Sequence, residues 1–366
     1  MHIPDGYLSP GSCAALYAGS APFWYVALQR VKKALHTRLV PLISLFSAFC
    51  FLIMMFNLPL PGGTTGHAIG IGLATVVLGP WAAMLSVSVA LVIQALFFGD
   101  GGITAIGANC FNMAIVGSLV TYACYRLIAG RAAITSFRRV VAAGLASYAG
   151  INVAAFFAAI EFGIQPLLFH DAAGVPLYCP YPLSVSIPAM MIGHLTVAGM
   201  AELVVSAGLV ALLQQSDPSL LKATAGSRVA PNESSDMSPN RGTRRLQPLW
   251  TALCGLMLLT PLGILAVGTA WGEWVASDFS NPAIRQQIAG ASLQQAPPLH
   301  APTGLEQISQ LWTAPFAHYA PPYIRSATFG YLLSAMFGAG LVILACSLMG
   351  HLMRGFVFRG TAEPAE

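Results

Sequence analysis

Nine runs of apolar residues, near 11–29, 39–58, 67–79, 81–99, 103–128, 139–165, 183–214, 249–271 and 329–352, constrain what this chain can fold into. A run of roughly 20 such residues crosses a bilayer as a helix, and a half-inserted segment needs fewer. Charge agrees: charged residues make up 8% of the chain, against about 25% in a soluble domain. The expected class is an all-α membrane protein, a helical bundle of about seven transmembrane spans plus two further C-terminal spans.

The polar stretch "SDPSLLKATAGSRVAPNESSDMSPNRGTRRLQP" reads as a flexible linker. It divides the chain into a first unit over 1–214, a linker over 215–248 and a second unit over 249–366. The second unit holds two spans around a mostly polar segment containing "NPAIRQQIAGASLQQAPPLHAPTG". With the N-terminus outside, nine spans place 15 of the 17 basic residues on the cytoplasmic side. They are Arg30, Lys32, Lys33 and Arg38; Arg126, Arg131, Arg138 and Arg139; Lys222, Arg228, Arg241, Arg244 and Arg245; and Arg354 and Arg359. Only Arg285 and Arg325 fall outside. Cytoplasmic loops carry this excess. Dropping the short third run would flip every later loop, so it is kept, and the C-terminus is cytoplasmic.

No basic region precedes an apolar core at the start, so a cleaved leader is not expected and Met1 remains the N-terminus. The seven cysteines form no CxxC pair and lie mostly in apolar runs, where they pack as small hydrophobes. No GxxxxGK[ST] segment occurs, so no ATP is bound by this chain. The net charge of +4 says little by itself, because the location of the charges matters more than their total; membrane lipid is expected as a partner and nucleic acid is not.

The opening "MHIPDGYLSP" places a histidine directly behind the α-amine. The amine of Met1, the amide of His2 and the His2 imidazole can close fused five- and six-membered chelate rings that hold three nitrogens in one plane. The predicted topology brings the loop "NLPLPGGTTGHAIG", with His67, to the same outer side. A fourth nitrogen from His67 completes a square, which selects Ni(II) or Cu(II), and less naturally Co(II), over tetrahedral Zn(II). From the residues alone two plainer readings stay open. His2 can be a solvated terminal residue, and His67 can belong to a turn and helix entry.

Other polar groups carry paired readings. Asp100 in "FFGDGG" and Asn109 with Asn112 in "GANCFNM" either orient metal ligands from behind or cap helices. Glu161, His194 and Glu202 lie inside apolar runs, where ionisable groups are costly. His194 and Glu202 are eight residues apart and share one helix face, as a conduction path or as an intramembrane polar pair holding helices together. His170, His300 and His318 are external, solvated or feeding metal inward, and His36 and His351 are cytoplasmic.

Taken in order, "MHIPDGYLSP", "NLPLPGGTTGHAIG", "LGPWAA" and "QALFFGDGGITAIGANCFNMA" resemble the CbiM/NikM family across about residues 1–215. These are substrate-binding membrane components of nickel and cobalt energy-coupling-factor transporters. The resemblance implies a metal site at Met1, His2 and His67, with Ni(II) or Co(II) as transported substrate. The "PDGYLSP" form looks nearer to nickel-type members than to cobalt-type ones, which more often read "MEGFLP" and serve cobalamin biosynthesis. It also implies a transmembrane coupling (T) subunit and cytoplasmic ATPase subunits as separate chains, in the bacterial inner membrane. The small residues Gly11, Ala14, Ala18 and Ala21 would then face the coupling subunit or pack within this chain. The second unit resembles the fused NikN/CbiN-like component, through "TPLGILAVGTAWGEW" at 260–274 and without a "PDGLE" motif. It is expected to help coupling rather than bind metal. Two alternatives remain: a metal-responsive membrane binding or sensor protein, for which no cytoplasmic output domain is found, and an ion-coupled secondary metal carrier, for which no inverted repeat is found.

Overall fold

The computed structural model describes residues 1–33, 39–225 and 239–359. His36, Arg38, Arg228 and the linker residues 226–238 lie outside them. The chain is an α-helical membrane protein. Among the described residues, six helical stretches are long and apolar enough to cross a membrane: Pro80–Phe98, Ile106–Ala129, Phe137–Leu168, Leu183–Ser216, Leu246–Leu265 and Ala327–Met353.

The first three apolar runs are built differently from full spans. Helix α1 (Pro10–Lys33) is long, but its small and polar residues keep it out of that group. Helix α2 (Leu39–Met54) is apolar but has only 16 residues. The third run begins after a short antiparallel hairpin, β1 (Leu58–Leu60) with β2 (Thr64–Gly66), in which Leu58 pairs with Gly66 and Leu60 with Thr64. Its tip needs left-handed backbone at Gly62 and Gly63 (φ 85° and 77°), which only glycine adopts cheaply. Helix α3 (Ile71–Leu78) follows, eight residues long. At 1.5 Å per residue it rises about 12 Å, less than half of a hydrocarbon core. It is buried from Ile71 to Val77 and packs on neighbouring helices.

The remaining chain forms longer rods. Helix α4 (Pro80–Ile93) continues as a π-helical segment, Gln94–Phe98. Helix α5 (Ile106–Asn109) runs through a π segment, Cys110–Val116, into α6 (Gly117–Ala129). Then come α7 (Phe137–Gly163), α8 (Gln165–Leu168) and α9 (Leu183–Gly193). A third π segment, His194–Ala198, leads into α10 (Gly199–Ser216). The second unit supplies α11 (Pro239–Leu259), α12 (Pro282–Ala291), α13 (Thr303–Ile308) and α14 (Ala327–Arg359). Each π segment starts at or beside a polar residue, Gln94, Asn109 or His194, and such bulges often mark functional sites.

Helix α7 packs against α6, α9 and α10, and α3 sits among α4, α6, α7 and α10. Helix α2 is buried along Ile43–Met54 because α4 covers it from the first unit and α11 and α14 from the second. Polar contacts fix that join: Tyr331 donates to the Met55 carbonyl at 2.6 Å, and Cys346 Sγ lies 3.3 Å from Ser47 Oγ.

Candidate metal centre

The first nine residues do not trail into solvent. Met1, His2, Ile3, Tyr7 and Leu8 are each at most 4% exposed. Hydrogen bonds reel the segment in from distant elements. Asn109, at the end of α5, clamps Ile3 from both sides, accepting from its N–H at 2.8 Å and donating to its carbonyl at 3.1 Å. Gly102 N donates to the same carbonyl at 2.9 Å. The Asp5 carboxylate accepts from the amides of Ile103 and Thr104 at 3.0 and 2.8 Å. Ser9 N donates to Gln165 Oε1 at 3.0 Å, and Tyr7 donates to the Trp274 carbonyl at 2.8 Å. Gly101 shows how close the fit is. Its φ is +83°, and a Cβ there would stand 2.8 Å from Asn109 Nδ2 and 3.3 Å from His2 Nδ1.

These restraints bring together three donors predicted from sequence. The α-amine of Met1 lies 3.5 Å from Glu273 Oε1. The imidazoles of His2 and His67 face each other with ring centres 5.1 Å apart and planes tilted by 57°. Both ring nitrogens of His2 are buried without a hydrogen-bond partner. Nδ1 has Asp100 Oδ1 at 3.4 Å, without hydrogen-bonding geometry. A buried polar atom left unpaired costs about 1–3 kcal/mol, so two on one ring call for an occupant. Burial, helped by the charge of the amine, pushes the His2 imidazole down to about 3. The ring is therefore neutral at physiological pH, the form that binds metal. His67 Nδ1 lies 3.1 Å from the Ala68 carbonyl. In the tautomer that donates to it, Nε2 keeps the lone pair. Among the described residues no three His, Cys, Asp or Glu side chains are spaced to hold a metal ion, so a metal held here needs a main-chain donor such as the amine.

Beside His67 lies a cavity of about 410 Å³, lined also by Asp100, Glu273, Asp278, His318 and Tyr319 among others. Asp100 stands at its wall because Tyr319 donates to its Oδ2 at 2.6 Å and Gln94 Nε2 does so at 3.3 Å, while Gln94 also donates to Tyr319 at 3.0 Å. Burial raises the Glu273 carboxyl above its ordinary range, and the neighbouring ammonium offsets part of that rise.

The other predicted residues separate. Asp100 and Asn109 belong to this site. Asn112 does not: its amide donates to Glu161 at 2.7 Å, joining the π segment after α5 to α7. His194 and Glu202 form no pair. His194 Nδ1 sits 2.8 Å from the Met190 carbonyl, four residues back on its own helix. Glu202 accepts from the amides of Ile69, Gly70 and Gly72 at 2.7, 2.9 and 3.0 Å. The π segment His194–Ala198 lies between them, so eight residues no longer make two regular turns. His170 and His300 are exposed, as is His351 in α14. His318 is exposed at the cavity rim, with left-handed backbone (φ 55°).

Sequence reasoning missed Asp5, Gln94, Glu273 and Tyr319. Two of these belong to the second unit, which reaches the candidate site directly: Glu273 meets the amine and Tyr319 anchors Asp100. The available signal was Glu273, the sole acidic residue in "TPLGILAVGTAWGEW".

The CbiM family model, described as the cobalt uptake substrate-specific transmembrane region, matches residues 2–220. The fused nickel transport protein NikMN of Rhodobacter capsulatus is 55% identical over 352 residues, 96% of this chain and 98% of the relative. The probable fused nickel transport protein LarMN of Lactiplantibacillus plantarum is 42% identical, again over 96% and 98%. A crystal structure of a truncated transition metal transporter superposes with TM-score 0.56 at 52% identity, covering 59% of this chain and 99% of that one. This chain is a metal uptake component, not an enzyme, and it belongs to the CbiM family of cobalt uptake substrate-specific transmembrane regions.

Proposed function

We propose that this chain is the substrate-specificity component of an ATP-driven uptake system for Ni(II), or Co(II) as the alternative metal. It takes the ion at the outer face of the bacterial inner membrane through the Met1 amine, the His2 amide and imidazole, and His67. The observation that carries the reading is the buried, neutral His2 ring with two unpartnered nitrogens, set between the terminal amine and a second imidazole. Metal binding displaces the amine proton and, by its own charge, the amide proton. The fused chelate rings then impose a plane, and His67 closes the square that favours Ni(II). Nickel is also the metal in the names of the two full-length relatives.

Work against a gradient requires energy, which separate ATPase subunits supply through a transmembrane coupling subunit. Gly11, Ala14, Ala18 and Ala21 are exposed along α1, so packing within this chain does not use them, and they offer a close-approach face to that subunit. The test is metal content and absorption of the purified protein. Native protein should hold one nickel with the band of low-spin, square-planar Ni(II). Undiminished binding after a residue is added before Met1 would refute the site. Concentrative uptake by this chain alone in proteoliposomes without ATP would refute the energy source.

A further inference from the structure

Glu202 is a carboxylate 0% exposed in the middle of an apolar helix, and nothing in metal chelation as described uses it. Burying a carboxylate is costly unless hydrogen bonds replace its water. Here three main-chain amides do so, and all three come from one place, the start of α3. Oε2 takes Ile69 N and Gly70 N at 2.7 and 2.9 Å, and Oε1 takes Gly72 N at 3.0 Å. Ser206, one turn on, adds its hydroxyl at 3.4 Å. Helix α3 needs this help. Its N-cap is Gly70, left-handed at φ 77°, with no side chain to cap the free amides. A carboxylate 130 or more residues away takes the part that a local Ser or Asp would play.

The captured stretch begins two residues after His67. Ala68 lies between, and its carbonyl is the group against His67 Nδ1. Ala68 and Ile69 are buried, at 4% and 0% exposed. Holding the Ile69 amide fixes the peptide unit that carries the Ala68 carbonyl. That carbonyl in turn fixes which His67 nitrogen bears the proton. Outer hydrogen bonds of this kind set the tautomer and direction of a ligating imidazole.

We infer that Glu202 is a positioning residue for metal capture: its grip on the amides of residues 69–72 holds the Ala68 carbonyl and so presents His67 Nε2 to the ion. The inference rests on His67 being a ligand, as proposed above. A merely structural carboxylate would change stability and leave the bound-metal spectrum alone.

The experiment compares native protein, Glu202→Gln, Glu202→Asp and His67→Ala in detergent, each titrated with Ni(II) alone. It records affinity, the low-spin Ni(II) absorption and metal-free thermal unfolding. Gln keeps the size but opposes an amide N–H to the main-chain donors; Asp keeps the charge but shortens the reach. The expected result is that a folded Glu202 variant binds nickel at least about tenfold more weakly with a shifted or broadened band. Native affinity and an unchanged band in either folded variant, with His67→Ala impaired, would overturn this inference alone. Native behaviour in His67→Ala would overturn the ligand assignment beneath it. Failure of both Glu202 variants to fold would make the residue a structural support and would also overturn the inference.

Discussion

Two buried histidines, His194 and His2, sit in different parts of this molecule and have different partners. His194 and Glu202, within the membrane-spanning helices, have both been absorbed by main chain: one faces a carbonyl in its own helix, the other the amides of α3. His2 and Asp100, at the end of the bundle, have not. The His2 ring makes no hydrogen bond, while Asp100 is fixed 3.4 Å away by Tyr319 and Gln94. The two imidazoles are about equally buried, at 1% and 4% exposed. Burial therefore does not mark a ligand. What sets the His2 ring apart is that both its nitrogens are buried with no hydrogen-bond partner, beside the terminal amine and a second imidazole.

The contrast can be broken at several points, and the effects should fall in order. The largest comes from adding one residue before Met1 or acetylating it: nickel binding should drop below detection in equilibrium dialysis while the circular dichroism spectrum is retained. Next, His67→Ala should abolish the square-planar absorption and weaken binding more than any other single side-chain change. Asp100→Asn leaves every donor in place but removes the charge beside His2, and titration calorimetry should show affinity lowered by about 10- to 100-fold. His194→Ala, on the other side of the comparison, should leave affinity and spectrum unchanged and cost about 1 kcal/mol of stability for one lost hydrogen bond. The smallest effect belongs to His36→Ala and His351→Ala, which should alter neither binding nor accumulation in cells. Loss of nickel binding in His194→Ala would erase the distinction altogether.

Much of this could be read from the chain. Apolar run lengths located the helices, and the amine-histidine pattern pointed to Met1, His2 and His67 as candidates, which the fold brings together. The glycines of "PGGTTG" announced a turn before His67, which became a hairpin through Gly62 and Gly63. Illegible were contacts between residues far apart in sequence. Nothing near Met1 predicts Glu273, and nothing near Asp100 predicts Tyr319. Local spacing also misled at His194, because hydropathy cannot reveal a π segment that rotates the face beyond it. The stray intramembrane acid Glu202 looked unexplained for the same reason: the donors that satisfy it come from another helix.

The contact between Met1 and Glu273 joins residues 272 positions apart, and Tyr319 reaches Asp100 across 219. The closure entropy of a flexible loop grows only with the logarithm of its length, about 0.6 kcal/mol for each doubling. A wall drawn from both units thus costs little more chain entropy than one drawn from a near neighbour, and it ties the order of the first residues to the packing of the second unit.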